Sequence, residues 1–267
     1  MSIITLTTDF GLSDEYVGVM KGTILSRCPV ATIVDLTHGI KPQDIRGAAY
    51  AIEASCPYFP EGTIHVIVVD PGVGSSRRII ALKSRAQTFL APDNGVLSLT
   101  LPGAEQIFTV TSEELFLPQV SNTFQGRDIF APAAAFLACG LPPDQLGPRL
   151  RKSQVKRLAL PEIISSATGL KGSVVYIDHF GNLMTNLDQQ TIISFCRNNF
   201  GLVKIKISNR IIAGISRSYT TGGTSGPVSL FNSRGYLEIA VPMGNAARDL
   251  GISLDEPVYL EMQNKDF

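Results

Sequence analysis

The chain has 267 residues, enough to bury a sizeable core in one large domain or two modest ones. Its 44% hydrophobic and 17% charged content fits a globular fold, and 23 basic against 23 acidic residues leave no net charge. That balance lacks the basic excess of a nucleic-acid or anionic-membrane surface, so neither is expected as a partner.

The elements are read in chain order. Ile3–Thr7 is a β-branched run and predicts a strand, and Ser13 is the predicted N-cap of a helix through about Arg27. Thr32–Leu36 reads as a second strand. Pro42 is taken to open a second helix, with Ile45, Ala48, Ala49, Ile52 and Ala54 on its apolar side and its end before Pro57. His65–Val69 is a continuous apolar run, as in a strand buried on both faces. Ile79–Lys83 and Thr88–Ala91 follow as strands, then a helix over Asp128–Cys139. Alternating strands and helices predict an α/β domain with a central, mostly parallel sheet over residues 1–158. Residues 159–170 read as a linker. From residue 171 to 267 the runs Ser173–Ile177, Val203–Ile207, Ile211–Ala213, Val228–Phe231 and Tyr236–Val241, separated by Gly and Asn clusters, predict a smaller all-β, barrel-like domain.

No stretch approaches the ~18 apolar residues of a membrane span, and the N-terminus lacks the basic flank and length of a signal peptide. The four scattered cysteines, Cys28, Cys56, Cys139 and Cys196, show no CxxC spacing. These features predict a cytoplasmic protein with reduced thiols.

Several familiar motifs fail. Gly72-Val-Gly74 follows a strand, but Arg77 stands where a dinucleotide fingerprint needs its third glycine. There is no GxxxxGK[ST] loop, and Gly223-Thr-Ser-Gly226 is one residue short of a nucleophile elbow. His38, His65 and His179 form no HExxH, His65 reads as a satisfied core residue, and no metal is expected.

What remains is a set of polar residues at predicted strand ends, where open α/β sheets bind ligands. Asp9 follows the first strand, Asp35 the second, and Asp70 the third, in the loop Asp70-Pro-Gly-Val-Gly-Ser-Ser-Arg77. Each alone reads as a cap or turn residue; three at successive strand ends read equally as one site. Asp93-Asn94-Gly95 reads as a turn. Asp128 reads as a helix N-cap with Arg127 in a surface pair. Asn232 and Gly235 suit a hairpin turn without any ligand. Composition and spacing stop at an α/β protein with a polar site.

The segments TTDFG (7–11), VDLTH (34–38), VVDPGVGSSRR (68–78), APDNG (91–95), TFQGRDIFAP (123–132), YIDHFGN (176–182) and NSRGYLEIA (232–240) occur together and in this order over nearly the whole chain. In that combination the sequence resembles the S-adenosylmethionine (SAM) hydroxide adenosyltransferases, or SAM hydrolases, relatives of fluorinase and chlorinase. The resemblance implies a homotrimer with SAM between the N-terminal domain of one subunit and the C-terminal domain of the next. It implies that Asp9 holds the ribose hydroxyls, and that Asp178 and Ser233, with Arg234 nearby, hold the methionine amino and carboxylate groups. Asn182 is implied to contact adenine, with Phe180 and Tyr219 packing beside it and the backbone around Val241–Met243 at its edge. The implied reaction is attack of water at ribose C5′ with methionine leaving. SAM is then the substrate, and no cofactor is called for.

In that reading Asp70 accepts the proton of the water, and Arg77 steadies the developing negative charge. The hydrolases carry a histidine as third member of the set; here it is Gln125. An amide orients water but is no base, so a slower hydrolase is expected, quickened by Gln125→His. The alternative is a non-catalytic SAM or adenosine sensor. Val73 and Gly126 stand where fluorinase has hydroxyl-bearing residues, and the extra fluorinase loop is absent between Arg78 and Asp93. Halide chemistry is therefore not expected.

Overall fold

Two β-sheets organise the chain, one in each of two compact units, Met1–Leu158 and Ala159–Phe267. The computed structural model describes residues 2–166, 168–220 and 226–263; Gly223 to Ser225 of the near-elbow sequence lie outside them.

The first unit contains β1 (Ile3–Thr8), α1 (Tyr16–Arg27), β2 (Thr32–Thr37), α2 (Ile45–Ser55), β3 (Ile64–Val68), β4 (Ile79–Ser84), β5 (Gln87–Pro92), β6 (Ala104–Thr109) and α3 (Ala131–Ala138). Its strand order is β2-β1-β3-β5-β4-β6. The first four strands are parallel neighbours, but β4 runs antiparallel to both β5 and β6. The sheet is therefore mixed rather than uniformly parallel at this edge. The cause is local: β4 and β5 are joined by only Arg85 and Ala86, both left-handed (φ 52° and 57°). So tight a connection joins antiparallel strands only.

Hydrophobic residues cover both faces of this sheet. Val66 packs with Leu6, Met20, Ile24 and Phe130 on one side, while Ile67 and Val69 pack with Ile52, Leu82 and Phe89 on the other. That alternation explains why the His65–Val69 run is apolar throughout. His65 is a core residue, with Nδ1 2.8 Å from Thr5 Oγ1 and its ring stacked on Phe89, but it is only half satisfied, since its buried Nε2 has no hydrogen-bond partner among the described residues. Burial lowers its pKa to about 4.

Four local expectations are corrected. Ser13 does not cap α1, which begins after Glu15, because the Gly11 amide donates to the His38 carbonyl and holds the preceding chain in a loop. Pro42 does not open α2: Gln43 is left-handed (φ 66°), so the helix starts after it, capped by Asp44 accepting from the Gly47 amide. Asp35 lies inside β2, not beyond its end. Asp128 is no N-cap, because a π-helical turn over Gly126–Phe130 precedes α3 and already contains it.

The second unit contains β7 (Ile164–Ser165), β8 (Gly169–Ile177), β9 (Leu183–Asp188), α4 (Gln189–Cys196), β10 (Val203–Ile207), β11 (Arg210–Ala213), β12 (Val228–Phe231), β13 (Tyr236–Ala240), α5 (Ala246–Leu250) and β14 (Pro257–Met262). All its strand pairs are antiparallel, in the order β11-β10-β14-β8-β9-β13-β12, with β7 also on β8. Beyond β11, the Ser216 amide donates to the Ser229 carbonyl at 2.7 Å, bringing the two ends together. The sheet is thus barrel-like and nearly closed, around Leu170, Val174, Ile205, Leu237, Ile239 and Val258. Among the described residues no helix is long and apolar enough to cross a membrane.

Candidate active site

Buried β3 delivers the chain to a tight loop that begins at Asp70 and turns back to Arg77. Gly74 makes the return possible. It is left-handed (φ 75°), and a Cβ there would run into the Asn122 carbonyl. Only glycine lets this loop touch the segment leading to Gln125. That segment then enters the π-helical turn, an uncommon geometry that re-aims side chains and recurs at functional sites. Gln125 immediately precedes it.

The result is a compact cluster. Arg77 donates through Nε to Asp70 Oδ2 at 2.6 Å, and its Nη2 lies 2.5 Å from the same oxygen. Arg77 Nη2 also donates to Gln125 Oε1. The side chains of Asp70 and Arg77 are only 4% and 6% exposed, so the pair is shielded and its attraction little screened. Arginine is donor-only, which orients the amide: Oε1 faces Arg77, and the Nε2 hydrogens are left for another acceptor. Asp70 Oδ1, by contrast, accepts only a 3.2 Å bond from the Gly72 amide among the described residues.

Asp70, Gln125 and Asp9 line one cavity of about 60 Å³, with Phe10, Val73 and Phe124 among its walls. That volume admits a water or two, which need a polar rim and about one probe sphere of room each. Phe124 packs edge to face on both Phe10 and Tyr16 beside it. A Cβ on Gly126 would come 3.2 Å from Met20 Sδ, so the turn has little space for a side chain.

Asp9 is held by the Gln43 amide, which donates to its Oδ2 at 2.8 Å. The loop carrying Asp9 is fastened by His38, whose contribution the sequence reading missed. His38 Nδ1 lies 2.8 Å from Thr8 Oγ1, and its carbonyl accepts from Gly11. Of the three predicted carboxylates, Asp9 and Asp70 meet; Asp35 does not. Asp35 pairs with Lys21 at 2.6 Å and lies 3.0 Å from His38 Nε2. Burial pushes its carboxyl up, but the hydrogen bonds and charges of Lys21 and His38 outweigh it and hold it below its usual value.

Two further readings change. Asp93 is more than a turn residue: it is buried, receives Arg78 at 2.5 Å, and accepts from the Lys156 amide. Asp128 is fully buried, accepts from the Ser121 amide at 2.7 Å and from Arg127, and so ties the loop before Gln125 to the turn after it. Among the described residues no group of three or more His, Cys, Asp or Glu is placed to hold a metal ion.

The second unit has its own polar pocket, of about 380 Å³. Asp178, Tyr219, Ser233 and Arg234 line it together. Arg234 lies over the Tyr176 ring, 4.9 Å from its centroid, and its Nη1 is buried without a hydrogen-bond partner among the described residues. Asp178 organises the adjoining turn: Oδ1 accepts from the Phe180 and Asn182 amides, and Oδ2 from Asn182 Nδ2. That leaves Phe180 71% exposed on the turn while Asn182 is buried. Val241 and Met243 do not line the pocket; they sit in the turn before α5, with Met243 fully exposed and left-handed (φ 59°). Sequence reasoning also missed Asn232 and the buried Glu238, both lining this pocket. The available signal was an acid inside an otherwise apolar strand.

Comparison with known proteins places these segments. The model for the SAM hydroxide adenosyltransferase N-terminal domain matches residues 4–147, and that for its C-terminal domain matches residues 172–259. The chain is 37% identical to a protein of Thermus thermophilus named (R)-S-adenosyl-L-methionine hydrolase, over 97% of this chain and all of that one. It is 29% identical to a protein of Actinopolyspora mzabensis named fluorinase, over 89% of this chain and 90% of that one. A crystal structure of an uncharacterized conserved protein from Thermotoga maritima superposes with a TM-score of 0.89 at 33% identity, covering 96% and 99% of the two chains. The chain, with its Asp70–Arg77–Gln125 cluster, belongs to the SAM hydroxide adenosyltransferase family.

Proposed function

We propose that this protein hydrolyses SAM to adenosine and methionine by in-line attack of water at ribose C5′. The observation that carries the reading is the Asp70–Arg77–Gln125 cluster around a water-sized cavity, in a chain 37% identical to a protein named for that hydrolysis.

The sulfonium is a good leaving group, so methionine departs without a general acid. Catalysis reduces to holding one water in line and taking its proton. Arg77 occupies Asp70 Oδ2, which leaves Oδ1 to accept that proton. Gln125 gives its oxygen to Arg77 and its Nε2 hydrogens to the water oxygen, fixing the direction of the lone pair that attacks. Asp9, on the same cavity, is placed to accept the ribose hydroxyls. The reaction calls for no cofactor. Neither Val73 nor the crowded Gly126 offers a side-chain donor for a desolvated halide.

A cavity of about 60 Å³ seats the reacting atoms but not a nucleoside, which needs several hundred Å³. In this reading the second unit supplies the rest: its pocket offers Asp178, Ser233 and Arg234 to the amino acid and Tyr219 to the adenine, and Phe180, Asn182, Val241 and Met243, outside that pocket's lining, complete the adenine contacts. The donor is a neighbouring subunit of a homotrimer.

Incubation of the purified protein with each sulfonium epimer of SAM, followed by chromatography, tests the activity. Adenosine and methionine are expected in equal amounts from the R form, and none from the Asp70→Ala variant. The presence of Gln125 in place of a base favours one second reading, a SAM sensor. SAM binding with no product over prolonged incubation would establish it instead.

A further inference from the structure

Glu238 lines the second unit's pocket, and the proposed mechanism gives it no task. It projects from β13 into the second unit's pocket, yet it is only 5% exposed. A carboxylate so buried is costly unless its oxygens are satisfied. Here each oxygen has a different partner. Tyr219 donates its hydroxyl to Oε1 at 2.7 Å, and Asn232 donates through Nδ2 to Oε2 at 3.2 Å.

The two partners belong to different segments of the pocket lining. Tyr219 is an aromatic wall. Asn232 is the hinge of the turn that carries Ser233 and Arg234, because its Oδ1 accepts from both the Arg234 amide (3.0 Å) and the Tyr236 amide (3.1 Å). With its oxygen committed to those amides, the Asn232 side chain must present Nδ2 to Glu238 and needs an acceptor there. Tyr219 likewise stays a donor, since burial and the neighbouring Glu238 push its hydroxyl up to about 12. Both partners require an acceptor, and only an ionised carboxylate offers one on each side.

We propose that Glu238 is a positioning residue that fixes, from one buried carboxylate, both the aromatic wall and the Ser233-Arg234 turn. Under the reading of the pocket given above, on which this rests, Glu238 couples the adenosine end of the substrate to the methionine end without touching the reacting atoms.

The test uses the full-length protein and its two products as separate probes. Glu238→Met removes both acceptors at similar volume, and the affinities for adenosine and for methionine should each fall at least about tenfold. Glu238→Gln keeps one acceptor oxygen, so one product's affinity should fall while the other stays within about twofold. Tyr219→Phe should weaken adenosine and spare methionine. With SAM, KM should rise in Glu238→Gln while kcat changes much less. Product affinities unchanged in Glu238→Met, or equal losses of both products in Glu238→Gln and Tyr219→Phe, would overturn the proposal. The ultraviolet titration of Tyr219, obtained by difference against Tyr219→Phe, separates the clamp from the substrate reading. If wild-type protein binds neither product but Glu238→Met lowers the Tyr219 titration, the clamp stands and the SAM reading fails. If the titration does not move, the clamp itself is wrong.

Discussion

The two units build their sites on different scales. In the first, Asp70 and Arg77 are almost wholly buried and bonded to each other and to Gln125, around a cavity of about 60 Å³. In the second, the pocket is about 380 Å³, and its Tyr219 wall stays 43% exposed, although Glu238 beside it is buried and bonded on both oxygens. A shielded, pre-bonded cluster suits a chemical step, where fixed dipoles act strongly and need no rearrangement. A roomier, exposed pocket suits recognition, where affinity comes from contacts made on arrival. Under the proposed function, rate then belongs to the first unit and affinity to the second.

The sharpest way to break that division is to damage each half separately. Arg77→Met leaves Asp70 buried without its partner and removes the anchor of Gln125. We expect kcat to fall by about 10²–10³-fold, the scale for losing one preorganised electrostatic group, with KM little changed. Ser233→Ala should do the reverse, raising KM several-fold at nearly constant kcat. Steady-state kinetics on both variants decides the matter, and a KM effect in Arg77→Met as large as its kcat effect would dissolve the contrast.

The units should also part company with pH. In the first, His65 is buried and its pKa is lowered to about 4, against 6.5 when free. The unfolded chain therefore binds its proton first. Stability is full above about pH 6.5 and declines as pH falls towards 4, by up to about 3 kcal/mol. In the second unit Tyr219 is raised to about 12 from 10.0. The stability linked to its proton is full below pH 10 and is lost as pH rises through 12. Melting followed across both windows should show the acid-side loss flattened in His65→Asn and the alkaline-side loss flattened in Tyr219→Phe.

How much of this was legible before the fold was known differed by unit for physical reasons. In the first unit β1 and β3 are parallel neighbours buried on both faces, so runs such as His65–Val69 stand out, and their ends mark where polar residues gather. Asp9 and Asp70 were found that way. Asp35 was not separable from them, because β2 continues through it and pairs it with Lys21. The antiparallel turn at Arg85-Ala86 has no glycine or asparagine to announce it. In the second unit β9 (LMTNLD) carries too little alternation to declare a strand, and β14 and the short α5 were likewise missed. The links through His38, Asn232 and Glu238 depend on which side chains the fold brings together, and no spacing encodes that.

The smallest expected effect is the most informative about the cluster itself. The sequence resemblance leads to the expectation of a histidine at the position of Gln125, and an imidazole brings a basic nitrogen that an amide lacks. The structure shows what the amide already supplies: an acceptor for Arg77 and donors left over for water. A neutral imidazole offers the same pairing, one nitrogen accepting and the other donating. Beside the Arg77 guanidinium a second positive charge is disfavoured, so a histidine here would act mainly through its neutral form. Gln125→His should therefore raise kcat by no more than about tenfold, below the 10²–10⁴-fold scale of full general acid–base catalysis. Gln125→Leu, which keeps the bulk but neither hydrogen bond, should lower it further than the histidine raises it. A gain well beyond tenfold in Gln125→His would show that proton transfer, not the direction of the water, limits the enzyme. The first unit's cluster would then be orienting water well and deprotonating it poorly.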